Sequence, residues 1–176
     1  MEKLPEKVDP QERERAMSYV KILSMIGLSL GTCSLGIGIA VLALLDGATY
    51  PVASGTGVWF AANPIAFGIL GIAAALSTNE NTQNKLLTGH YVTSIILMTQ
   101  GYAFASAIQG LVECSTGSEK CGSNADAKAA LKGVLVGVIF FIYIIGIISL
   151  GIHSKKKHVL HPDWKKGGGC CGSSCD

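Results

Sequence analysis

Between Tyr50 and Leu76 the chain reads YPVASGTGVWFAANPIAFGILGIAAAL, and from Val58 no charged residue follows until Glu80. A helix rises 1.5 Å per residue, so about 20 apolar residues match the roughly 30 Å of hydrocarbon in a bilayer. Three further runs share this length and character, giving spans at about 22–45, 58–78, 91–112 and 129–152. What remains is two tails and three short connections, too little for a separate catalytic domain. The expected fold is all-α: a four-transmembrane-helix bundle over 22–152, after a charged segment 1–21 and before a basic, cysteine-rich tail 153–176. A mean hydropathy of +0.42 with only 15% charged residues belongs with that reading.

Several residues within the runs carry packing information. Asp9-Pro10-Gln11-Glu12 reads as a helix start, with Asp9 as N-cap, Pro10 first in the helix and Glu12 at the capping-box position. That helix is expected to lead into the first span. The charged leader and the length of the apolar run argue against a cleavable signal peptide. Gly27 and Gly31, and again Gly133 and Gly137, are four apart, and small residues at this spacing let helices approach closely in lipid. Trp59 stands where an aromatic belt residue would sit. Asn63-Pro64 interrupts the second span and predicts a kink, with the Asn63 amide turned to a freed carbonyl or a neighbouring helix. Gln100 falls mid-span on one face with Thr93 and Ala107, so its amide needs either a helix partner or a polar path. Lys132, at the edge of the last span, can snorkel to the surface. Residues 79–90, NENTQNKLLTGH, read as a polar turn.

Orientation follows from the cations. Lys3, Lys7, Arg13, Arg15, Lys21, Lys85, Lys155, Lys156, Lys157, Lys165 and Lys166 share the side of the tails, eleven of the fourteen; Lys120, Lys128 and Lys132 lie opposite. The positive-inside rule then predicts cytoplasmic N- and C-termini. Cys114 and Cys121 would occupy one short outer loop in an oxidising compartment, where a disulfide is expected. Cys33 reads as a small core residue. Cys170, Cys171 and Cys175 follow a polybasic segment and read as palmitoylation sites, with Lys155, Lys156, Lys157, Lys165 and Lys166 against anionic lipid. A metal site from His158, His161 and these thiols matches no standard ligand spacing, and no cofactor is expected.

The spans carry almost no ionisable groups, so no Ser/His/Asp or Cys/His set is expected at one membrane depth, and enzymatic function is not expected. No basic stripe with interleaved aromatics suggests a nucleic-acid partner.

Tyr50-Pro51, the glycine-rich approach, Trp59-Phe60 and Phe67-Gly68-Ile69-Leu70-Gly71-Ile72-Ala73-Ala74 resemble the loop-one and second-span pattern of the membrane-spanning four-domain family, subfamily A, the tetraspan family of the B-lymphocyte antigen. The two cysteines of the second outer loop are also similar to that family. Asn63-Pro64 departs from its pattern. The outer loop is too short for a tetraspanin, and 46–57 lacks the tryptophan and cysteines of a claudin. A MARVEL-type tetraspan stays open. The resemblance implies a plasma-membrane or endosomal protein that self-associates and organises receptor or signalling partners. The alternatives are a subunit of an oligomeric cation channel and a membrane-trafficking factor.

Overall fold

A computed structural model describes residues 9–44, 55–117 and 124–161. Those residues form helices and no strand: α1 (Pro10–Ala43), α2 (Thr56–Leu76), α3 (Glu80–Thr99), α4 (Gly101–Ser115), α5 (Ala125–Lys155) and the single turn α6 (Lys157–Leu160). Three of them, α1, α2 and α5, are long and apolar enough to cross a membrane. The pair α3 and α4, bent by 42° at its break, makes a fourth candidate if it counts as one span. In cross-section α1 and the α3–α4 pair lie on opposite sides, each packed between α2 and α5.

The charged leader and the first apolar run form one helix. Asp9 caps it, its carboxylate accepting from the Gln11 amide at 3.0 Å, and Pro10 occupies the first turn where no amide donor is required. Glu12 does not close a capping box; it pairs instead with Lys156 at the far end of the chain. At 1.5 Å per residue the 34 residues of α1 extend about 51 Å, well beyond the hydrocarbon.

The polar stretch 79–90 is helical from Glu80 onward, and the turn between α2 and α3 shrinks to 77–79. Asn79 caps α3 by accepting from Asn81 and Thr82 amides. The amide-rich first turns, which read as a loop, are held from outside: Arg13 reaches Glu80, Gln83 and Asn84 at 2.8, 2.8 and 3.4 Å.

Glycine sets the α1–α2 crossing. A Cβ on Gly38 would stand 2.5 Å from the Val58 nitrogen, and one on Gly68 would stand 2.5 Å from Leu28 Cβ. Backbones this close exclude any side chain, so the two helices meet through Gly27, Gly31, Ser34 and Gly38 on one side and Gly57, Gly68 and Gly71 on the other. α2 runs unbroken through Pro64, which is buried against Gly31. The large apolar residues of α1, such as Ile22, Ile26 and Ile39, face outward. Cys33 is exposed too, because Gly31 and Ser34 take the inner side; it is not the core residue expected from sequence. Such an arrangement, small inside and large outside, suits a hydrocarbon surround. The apolar core proper is Phe60, Phe67, Leu97, Leu135, Ile139 and Ile142.

Candidate functional site

Where α1 begins and α5 ends, four side chains from four elements form a continuous buried chain. Ser24 Oγ (α1) lies 3.1 Å from His90 Nε2 (α3). His90 Nδ1 lies 2.9 Å from His153 Nε2 (α5), and His153 Nδ1 lies 2.9 Å from His161 Nε2, just past α6. Ser24 and His90 are fully buried, His153 nearly so, and His161 is 3% exposed. Tyr91 stands beside the His153 and His161 rings, and Phe67 stacks on His90 with centroids 4.2 Å apart. One turn deeper, Ser94 and Ser149 bond each other at 3.0 Å.

Local geometry explains the assembly. Because α3 starts at Glu80, His90 lies nearly three turns inside a helix rather than in a turn. α5 continues to Lys155 and carries His153 inward. α6 then folds back, burying Val159 and Leu160 against Ala16, Met17, Val20, Ala74 and Leu87 and returning His161 to the bundle. Gly71 makes room: a Cβ there would fall 1.8 Å from Ser24 Oγ and 2.6 Å from His90 Cδ2.

A neutral imidazole has one N–H donor and one acceptor nitrogen, so the row is satisfied with all donors pointing either way along it. The bonding also admits one extra proton, on His153 for example, which would donate to both neighbours. Burial opposes that charge. For His161, outside the long helices, burial is the larger cause and Lys157 the smaller, and together they hold its pKa down to about 4. The row is a latch that joins the residue after α6 to α1, α3 and α5. The sequence reading expected no Ser/His/Asp or Cys/His set at one depth; the structure brings Ser24 and His90 together without a carboxylate, and with Ser24 sealed from solvent. Among the described residues no His/Cys/Asp/Glu group converges as a metal site, since the imidazoles bond one another nitrogen to nitrogen.

The other predicted residues fall in several places. Gly27 and Gly31 lie in the α1–α2 contact. Gly133 has only Leu111 near its would-be Cβ, at 3.8 Å, and Gly137 has nothing within 4 Å. Asn63 is half-buried on α2. Gln100 occupies the break between α3 and α4, and among the described residues neither its buried Oε1 nor the buried Tyr143 hydroxyl finds a hydrogen-bond partner. Lys156 pairs with Glu12, whereas Lys155 and Lys157 are exposed. Cys114 packs against Ala125 and Ala129. Cys121, Lys165, Lys166, Cys170, Cys171 and Cys175 lie outside the described residues, and with them the expected disulfide and acylation sites.

Lys132 departs from expectation. Its stem does not snorkel outward but lies across α4, with Cε 3.3 Å from the position a Cβ on Gly110 would take, and the residue is 1% exposed. Lys128, a turn earlier, is equally buried.

A sequence signal for the histidine row did exist. His90 is followed four residues on by Ser94, and His153 is preceded by Ser149 at the same interval. In antiparallel neighbours those pairs face each other in register.

No protein-family model, curated protein or solved structure matches this chain.

Proposed function

We propose that this chain is a non-enzymatic, multi-pass membrane protein that self-associates and organises receptor or signalling partners, with its termini in the cytoplasm. The observation that carries the reading is the outer face of α5. Gly137 stands in open space there, among exposed Val134, Phe140, Phe141 and Ile144. On α1, Gly27, Gly31 and Gly38 are consumed within the bundle and Gly36 is open as Gly137 is; the α5 face is distinguished by the exposed Phe140 and Phe141 that flank its open glycine and leave room for another helix. The resemblance to the membrane-spanning four-domain family, subfamily A, supports the same reading, as does the cation asymmetry for the orientation. Plasma-membrane residence, the Cys114–Cys121 disulfide and tail acylation belong to the proposal.

The experiment is subunit counting in native-lipid nanodiscs. Wild type is expected as dimers or larger closed oligomers, and Gly137→Leu, at a position with nothing within 4 Å of its would-be Cβ, as folded monomers. Monomeric wild type, or unchanged oligomers in the variant, would remove the α5 face from the proposal. The channel reading is weaker, because large apolar side chains fill the bundle interior. A cation current in planar bilayers that disappears in Gln100→Leu would reverse that ranking.

A further inference from the structure

A groove of about 690 Å³ runs between the first turns of α1 and the last turns of α5, within the size range of about 300–1,000 Å³ seen for small-molecule sites. Its walls change character along its length. Tyr19, Ala16, Ile148 and Ile152 line one part; Asp9, Glu12, Arg15, Lys155 and Lys156 line the other. Gly151 lies on it, and nothing stands within 4 Å of where its Cβ would be. Tyr19 is 60% exposed and Ile148 45%, so the apolar part opens sideways toward the surface read as facing lipid.

The charges on the polar part are not equivalent. The Glu12 carboxylate is engaged by Lys156, with His158 at 4.0 Å on its other oxygen. The Asp9 carboxylate caps α1. Arg15 and Lys155 are exposed and enter no ion pair among the described residues. The rim sets the cations Arg15, Lys155 and Lys156 against the carboxylates Asp9 and Glu12, a net positive edge above an apolar trough.

We propose that this groove is a binding site for one bilayer phospholipid with an anionic headgroup. The phosphate and the headgroup anion lie against Arg15 and Lys155, and an acyl chain descends over Gly151 between Tyr19 and Ile148. A soluble phosphate would satisfy the cations and leave the apolar trough empty. A neutral sterol would fill the trough and leave the cations without an anion. A phospholipid of net negative charge meets both demands, and tyrosine at the polar boundary is the residue expected beside it. The proposal rests on the membrane reading above and adds to it a discrete site, as distinct from a diffuse attraction of a basic tail.

The test is native mass spectrometry of the full chain released from nanodiscs of phosphatidylcholine mixed with phosphatidylserine. Incorporation into pure phosphatidylcholine discs checks the membrane reading by itself; failure there would sink that reading and this one together. Given incorporation, one phosphatidylserine adduct is expected to persist where phosphatidylcholine is stripped. Arg15→Gln and Lys155→Gln should each weaken retention about fivefold, from the attraction of one basic residue for anionic lipid. Gly151→Leu fills open space, so the protein should keep its helicity and lose the adduct. Equal retention of both lipids, an adduct that survives Gly151→Leu, or displacement by soluble glycerophosphoserine would each overturn the proposal.

Discussion

Gly38 and Gly137 lack the same atom with opposite consequences. A Cβ at Gly38 would meet the backbone of α2 at 2.5 Å, and backbone cannot rotate away as a side chain does. Gly38→Ala should therefore destabilise the bundle by about 1–3 kcal/mol, the usual cost of overpacking, read as a lower midpoint in detergent unfolding. Gly137→Leu should leave that midpoint unchanged. In the histidine row the end member is the most informative. Ser24→Ala strands His90 Nε2 in a sealed site, and about 1–3 kcal/mol of stability should go with it. The tail end of the row carries the pH dependence. His161 faces His153 from α5, Tyr91 from α3 and Lys157 from α6, and its pKa when docked is about 4 against an ordinary value near 6.5. The undocked tail takes up the proton first, so docking is fully favoured above about pH 6.5 and weakens as pH falls toward 4. Hydrogen exchange of amides 157–161, corrected for intrinsic rate, should lose protection across that window while the α2 interior keeps its own. Protection that stays level would show that His161 does not hold the tail.

At the scale of elements, the break between α3 and α4 is the place where local rules conflict. Gln100 and Gly101 interrupt an otherwise continuous run, and among the described residues the Gln100 oxygen and Tyr143 hydroxyl are left buried without partners. Gly101 is not there to avoid a clash, since a Cβ would meet only the Tyr143 hydroxyl at 3.8 Å. Gly101→Ala should thus stabilise the pair by up to about 1 kcal/mol through helix propensity and reduce the 42° bend, measurable as a longer interspin distance between labels on Val92 and Val112. A variant less stable than wild type would mean that the bend itself is needed. The contrasting element is α2, which stays helical through Pro64 as a full-length span, with the Pro64 backbone lying against Gly31.

Across the whole molecule, the apolar runs and the Asp9 cap were legible because they obey local rules: length against bilayer thickness, and a side-chain oxygen for an orphan amide. The helical start of α3 was not, because its amide-rich turns depend on Arg13, some seventy residues away in sequence. The histidine row was hidden for the same reason, since its members come from four elements and meet only when the α2–α3 turn is three residues long. The inward lysines were hidden because nothing about a lysine in sequence says whether a glycine on the neighbouring helix will accept its stem. Those distant ties gather where α1 begins and α5 ends. There Arg13 joins α1 to α3, Glu12 joins it to the end of α5, and the imidazole row fastens the helices to His161. At the other end Ser34 donates to the Gly57 carbonyl and Thr56 bonds Ser106. Ties drawn from such distant parts of the chain act as one mechanical joint: a pull on the start of α1 is passed at once to α3, to the end of α5 and to the turn that follows it.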